Sequence, residues 1–350
     1  MPGRVPYDPW RMATGAFVSW LPFSGRSQGF IDALELQPVY SSYLRERDII
    51  SAPLKYGPQF VHTLRQLYRE RPEAVFVMNP PVFAVAAVYL YCVQTGAKYV
   101  MDCHSGVFES RKWRWSLPLQ RWFGRRAACV IVTNPIHRAT VDRWPARSMI
   151  VGDPPPRLPV GIGQARPAGT ATDRERFVFV IATFGPEEAI PEVLEAARAL
   201  PHVSFRISGD TRRAPRRWLD NAPPNVRFTG YLPLQAFWQH VQDASAILTL
   251  TKQENTILQG GWEAMFVGRP LITSDTAALR GYFVQGARFV DNSVAGIAAG
   301  IEDVLANHDE IEAEMERLRH DKYLIWRRQR EELEALLGVD FATPAIAAGR

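Results

Sequence analysis

Along the first half of the chain, short apolar runs at 15–20, 74–78, 98–102 and 129–133 alternate with stretches of helical pattern at 59–69, 82–95 and 135–144. Runs of the first kind predict strands buried on both faces, and stretches of the second kind predict helices packed against them. Strand then helix, repeated, predicts a parallel sheet wrapped by helices.

The texture changes between 152 and 176. Asp153-Pro154-Pro155-Pro156 is followed by Pro159, Gly161, Gly163, Pro167 and Gly169, with few large apolar residues. That is linker composition and marks a domain boundary. The alternation then restarts, with strands predicted at 177–182, 203–208, 226–228, 246–250 and 270–273 and helices at 191–200, 234–242, 260–267 and 294–307. A charged stretch at 309–337 keeps Met315, Leu318, Leu324, Leu333 and Leu336 at helical spacing. The pattern predicts an α/β chain of two Rossmann-like, doubly wound domains, 1–160 and 161–310, with a helical tail over 311–350. The carboxyl ends of both sheets should face a central cleft, where ligands of such folds bind. The 350 residues support this, since single cores stop growing near about 250.

Composition narrows the class without choosing a function. With 47% hydrophobic and 22% charged residues the chain is globular, and no run approaches the ~18 apolar residues of a membrane span. The first residues lack the basic start and apolar stretch of a secretory signal, so a cytoplasmic location is expected. Cys92, Cys103 and Cys129 show no CxxC spacing and read as buried thiols. A net charge of +5 points to an anionic partner of unspecified kind. Gly161-x-Gly163 has no strand before it and no third glycine, so it is no dinucleotide fingerprint.

The densest signal is 248–275, LTLTKQENTILQGGWEAMFVGRPLITSD. A strand ends at Leu250, a polar loop follows, and a helix is expected to begin near Gly260 with Glu263 in its first turn. Backbone N–H groups at Gly260 and Gly261 suit a diphosphate, and Glu263 suits the hydroxyls of a ribose.

Here the chain resembles the family 4 group of GT-B glycosyltransferases. The match is Glu263-Ala264-Met265, then Gly268-Arg269-Pro270, then Ile272-Thr273-Ser274. Upstream, Ile207-Ser208-Gly209-Asp210, Val226-Arg227-Phe228-Thr229-Gly230 and 244–250 resemble the family's preceding strands. The resemblance implies a nucleotide-sugar donor held mainly by the second domain, an acceptor against the first, retention of anomeric configuration, and a tail crossing back to the first domain. Ser274 falls among the implied donor contacts. Glycan and lipid-linked acceptors of cell-surface polysaccharide or glycoconjugate synthesis are the expected partners.

The chain departs from the family twice. The family's first glutamate lies eight residues before its second, and here that position is Asn255, with Glu254 one residue further away. Either Glu254 shifts into the role or Asn255 and Thr256 serve instead. The family's basic residues after the first strand of the second domain are also missing from Ala182-Thr183-Phe184-Gly185-Pro186-Glu187-Glu188. Lys252, or Arg212 and Arg213 after Gly209, would then balance the diphosphate. No Asp-x-Asp occurs, so metal independence is expected and no cofactor is implied beyond the nucleotide-sugar co-substrate.

In the first domain, Met101-Asp102-Cys103-His104-Ser105-Gly106 sets a histidine at a strand end, where it can bond a sugar hydroxyl or move a proton. Family members carry a histidine at this place. Gly25 and Gln28, in the loop from Pro22 to Gly29, and Ser105 and Asn134 are expected on the acceptor side. His62 and His308 read as surface residues.

One further stretch is unusual. Arg111, Lys112, Arg114, Arg121, Arg125 and Arg126 interleave with Trp113, Trp115, Trp122 and Phe123, without an acid. This is the composition of a segment facing anionic headgroups, each basic residue adding about 1 kcal/mol, although Pro118 is expected to break the helix midway. A nucleic-acid site uses the same chemistry but is not expected. The rival readings of the whole chain are a non-catalytic nucleotide- or glycan-binding module and a nucleotide-sugar epimerase of the same fold.

Overall fold

The computed structural model describes residues 14–21, 24–41, 52–163 and 176–341. Pro22 and Phe23, residues 42–51, linker positions 164–175 and the terminal stretches 1–13 and 342–350 lie outside the described residues. The chain divides into two compact units, one running to Arg157 and resuming at Trp326, the other spanning Leu158–Ile325.

The first unit contains β1 (Gly15–Ser19), α1 (Gly25–Leu34), β2 (Gln37–Tyr40), α2 (Ala52–Glu70), β3 (Ala74–Asn79), α3 (Val82–Thr95) and β4 (Lys98–Cys103). There follow α4 (Gly106–Glu109), a 3-10 turn over Arg111–Ser116, α5 (Leu117–Gly124), β5 (Cys129–Val132), α6 (Pro135–Asp142) and β6 (Ser148–Ile150). Every pair of neighbours is parallel, in the order β2-β1-β3-β4-β5-β6. β1, β3 and β5 are buried at every residue, because helices cover both faces of the sheet. Ala16 and Val18 point to the face packed by Val85, Val88 and Phe123, whereas Phe17 points to Phe30 of α1 and to Trp326, Leu333 and Leu337. All three cysteines are buried.

The second unit repeats the scheme. It contains β7 (Phe177–Ile181), α7 (Ile190–Ala199), β8 (Ser204–Ser208), α8 (Arg216–Asp220), β9 (Val226–Gly230), α9 (Leu234–Asp243), β10 (Ala246–Thr249) and α10 (Gln259–Phe266). β11 (Leu271–Ser274), α11 (Ala277–Tyr282), β12 (Ala287–Val290), α12 (Val294–Ala306) and α13 (His308–Leu337) complete the chain. The sheet is again parallel, in the order β12-β11-β10-β7-β8-β9.

Three features differ from the sequence pattern. Strands β2, β6 and β12 escape it, because three or four residues carrying Pro38, Ser148 or Arg288 give no period to read. The tail is shared: Ile311, Met315 and Leu318 are buried in the second unit's core, and only the part from Trp326 onward packs in the first. Pro118 does not break a helix; it sits in the first turn of α5, where a missing N–H costs nothing.

In each sheet the chain starts in the middle and grows first one way, then the other. The reversal lies between β1 and β3 in the first sheet and between β7 and β10 in the second. At such switch points the loops leaving two adjacent strands part, and a crevice opens at the carboxyl edge.

Candidate functional site

In the first unit, Ser24 caps α1 by accepting the Ser27 N–H, and this fixes the helix that carries Arg26. Arg26 is buried. Its Nε donates to Asp102 Oδ1 at 2.9 Å and its Nη1 to Asp153 Oδ1 at 2.9 Å. The other oxygen of Asp102 lies 3.0 Å from Nε2 of His104, whose ring is 27% exposed. Four charged or titratable groups thus share one cluster at the carboxyl end of β4.

The two carboxylates of the cluster titrate in opposite directions. Burial alone would raise Asp102, but the charge of Arg26, with that of His104, outweighs it and holds the group below its ordinary value. At Asp153 burial wins over the pull of Arg26 and pushes the carboxyl up to about 6. Among the described residues, Asp153 Oδ2 and Arg26 Nη2 have no partner. Sequence reading named Gly25, Gln28 and His104 around this cluster and missed Arg26, Asp102 and Asp153. The available signal was an aspartate ending an otherwise apolar strand and a lone acid opening a proline run.

The other acceptor-side residues have structural duties. Gln28 is held from both ends of its amide, donating to Asp32 Oδ1 at 2.8 Å and accepting from Tyr40 Oη at 3.1 Å. Gly25 opens α1, and the carbonyl of Ser105 accepts the Phe108 and Glu109 N–H groups. Asn134 is buried and caps α6 by accepting the His137 N–H at 2.9 Å. His137 is itself buried, stacked on Phe108 and bonded to Glu109; burial lowers its pKa and Glu109 opposes this.

In the second unit the loops at the switch point touch. The N–H of Lys252 donates to the carbonyl of Glu187 at 2.8 Å, joining the loop after β10 to the loop after β7. Lys252 Nζ faces Glu192 at 3.4 Å in an exposed pair of the kind worth only about 0–1 kcal/mol, which an incoming anion can displace. Thr256 donates to Gln253, Glu254 is exposed, and Asn255 is half-buried. Beneath them, Ser274 Oγ accepts the Thr251 N–H at 2.8 Å and bonds Asn292 Oδ1 at 2.7 Å, while Asn292 Nδ2 donates to the Thr251 carbonyl at 2.9 Å. Ser274 is buried and bonded on both sides, so it positions the loop. Asn292 adopts a left-handed φ of 65° to do the same, and nothing in the sequence pattern singled it out.

Helix α10 gives its glycines a packing role. It begins at Gln259 with Leu258 as N-cap, which puts Glu263 in the second turn rather than the first. A Cβ on Gly260 would meet Thr249 at 3.1 Å, and one on Gly261 would meet Phe283 at 2.6 Å. The close approach these glycines permit is of helix to sheet, and the Gly261 N–H is already given to the Leu258 carbonyl at 3.1 Å. Gly209, at φ 145°, abuts the Ala182 carbonyl, where a Cβ would stand 2.4 Å away. Arg212 is engaged by both oxygens of Asp210 at 2.8 Å.

The loop after β7 lacks basic residues and holds an acid instead. The Glu188 carboxylate accepts the Thr183 N–H at 2.9 Å, the Phe184 N–H at 2.8 Å and the Thr183 hydroxyl at 2.8 Å. Among the described residues one group, His308, Asp309 and Glu312, has the spacing to hold a metal; it lies at the start of α13, with Glu312 paired to Arg269.

Comparison with known proteins covers both units. A glycosyl transferase 4-like domain matches residues 8–151 and a glycosyl transferase-like domain matches residues 189–332. No curated protein sequence matches the chain. Among solved structures, Anabaena HepE in complex with UDP and glucose aligns with TM-score 0.68 at 12% identity, covering 92% of this chain and 100% of that one. A sucrose-phosphate synthase from Thermosynechococcus elongatus aligns with TM-score 0.62 at 15% identity, covering 86% and 84%. A glycosyltransferase from Rickettsia africae aligns with TM-score 0.63 at 11% identity, covering 94% and 99%.

Proposed function

Because the chain belongs to the GT-B glycosyltransferases similar to family 4, we propose that it takes its sugar from a uridine diphosphate sugar held at the β7/β10 switch point and passes it, with retention, to a glycan or lipid-linked acceptor at the first unit. The observation that carries the donor assignment is the convergence at one sheet edge of the loop 251–256, the β7 loop joined to it through Lys252 and Glu187, and α10 with Glu263. The choice of uridine follows HepE, whose structures hold UDP, UDP and glucose, or UDP-glucose.

In this reading Glu263 accepts the ribose hydroxyls. Lys252 and the first turn of α10 balance the leaving diphosphate without a metal. Glu254, Asn255 and Thr256 border the transferred sugar, and His104, braced by Asp102, bonds a sugar hydroxyl on the acceptor side. Cell-surface polysaccharide or glycoconjugate synthesis is the class of process that uses such a product.

Thermal unfolding with UDP, GDP, ADP and their glucose conjugates tests the donor assignment. A ligand at about 100 times its Kd adds roughly 2.7 kcal/mol to the native state. Stabilisation by UDP and UDP-glucose, lost in Glu263→Ala, is expected. Stabilisation by another base alone, or persistence in Glu263→Ala, would reject the donor or the site.

A further inference from the structure

The segment 111–126 is not absorbed by transfer chemistry, and the structure divides its aromatic residues into two groups. Trp113 and Phe123 are buried and anchor the segment in the core. Trp115, Leu119 and Trp122 recur at four- and three-residue spacing and remain 57%, 45% and 41% exposed. Helix α3 packs beside α5 through Tyr89, whose ring meets that of Trp122 edge-on at 5.0 Å, and it adds Leu90 and Val93 to the exposed apolar residues. Val93 and Arg126 line the same shallow hollow of about 390 Å³. Arg111, Lys112, Arg114, Arg121, Arg125 and Arg126 are all exposed, and neither 110–128 nor α3 contains an acid.

From this arrangement we infer that the α3/α5 face docks on an anionic lipid bilayer, its arginines on the headgroups and Trp115, Leu119 and Trp122 at the headgroup boundary. Charge complementarity selects an anionic partner, and the aliphatic residues set among the rings, with one face of Trp122 already occupied, favour lipid over nucleic acid. Base stacking needs open ring faces. One face of Trp122 is covered by the Arg126 guanidinium at 3.7 Å, with Phe123 against the ring at 5.0 Å. Trp115 packs on Phe83 and Trp113. Beside the arginines the exposed surface also includes the aliphatic side chains of Leu119, Leu90 and Val93, which bases do not use and an interfacial segment does. The Arg125 Nε and Arg126 Nη1 donate to the carbonyls of Trp144 and Trp122, which fixes both charges along the surface.

This inference stands apart from the donor assignment, and its test reads a different signal. The full chain is sedimented with vesicles of phosphatidylcholine alone or with about 30% phosphatidylglycerol, at low and high salt. Binding to the anionic vesicles only, weakened by salt, is expected. Trp115→Ser with Trp122→Ser, and separately Arg114→Glu with Arg121→Glu, should each weaken it at least tenfold at an unchanged thermal midpoint and with the response to UDP retained. Absence of binding to anionic vesicles overturns the inference, as does binding that both double variants leave intact. Displacement from the vesicles by a single-stranded oligonucleotide at equal phosphate concentration overturns it in favour of nucleic acid.

Discussion

Oδ2 of Asp102 lies 3.0 Å from Nε2 of His104, so a partly exposed histidine is held by a carboxylate with no exposure of its own. That carboxylate is held in turn by Arg26, which makes the histidine's orientation a property of the core. Asp102→Asn keeps the shape and removes the charge. A positioned acid–base group contributes about 10²–10⁴ in rate. UDP release from UDP-glucose with acceptor should therefore fall at least tenfold, with KM for the donor unchanged if the donor is held, as proposed, by the second unit. An equal rise in KM would detach Asp102 from the transfer step.

The second carboxylate on Arg26 gives a pH signature. Asp153 ordinarily titrates at 3.8 and is pushed up to about 6 in the folded chain. The folded state holds this proton more tightly, so the group costs nothing below pH 3.8 and costs increasingly as pH rises to 6. The full cost, about 3 kcal/mol, is present above that. Asp102, lowered by Arg26, acts with the opposite sign, and its contribution is lost only as pH falls below 3.8. Asp153→Asn can still accept from Arg26 and cannot ionise. Its thermal midpoint should gain on the wild type by several degrees between pH 4 and pH 7, and parallel curves would exclude this assignment.

How far the sequence discloses this molecule depends on range. Strands such as 74–79 and helices such as 82–95 are legible because their burial is written in consecutive residues. The motif around Glu263 is legible because it is local and dense. The Arg26 cluster is not, since its members are 76 and 127 positions apart and meet only when the start of α1, the end of β4 and the segment after β6 come together. Gly260 and Gly261 are half-legible for a related reason. A glycine at a helix start serves close packing and anion binding equally well in sequence, and the positions of Thr249 and Phe283 reveal the packing role.

That role can be tested at Gly261. An added methyl group would stand 2.6 Å from Phe283 Cζ while leaving the backbone N–H in place. Overpacking of this size costs about 1–3 kcal/mol. Gly261→Ala should lower the unfolding free energy of the second unit by that amount, read from the shift in denaturant midpoint, with UDP affinity kept within about threefold where the variant is folded. Retained stability with lost affinity would return Gly261 to the ligand.

Glu188 puts a negative charge where a diphosphate-binding loop ordinarily presents free N–H groups, and its carboxylate already holds those of Thr183 and Phe184. Two effects compete on its removal: the loop loses its organiser, and the site loses a charge of the same sign as the diphosphate. Glu188→Gln separates them, because the amide oxygen still accepts one of the N–H groups and the charge is gone. Like charges near a protein surface repel by a few kcal/mol at an effective dielectric of about 20, reduced further by salt. UDP should therefore bind several-fold more tightly to Glu188→Gln at low ionic strength, and titration calorimetry should show the gain shrinking as salt is raised. Weaker binding at every salt concentration would mean that the carboxylate is needed to shape the loop, and that the donor diphosphate is accommodated without displacing it.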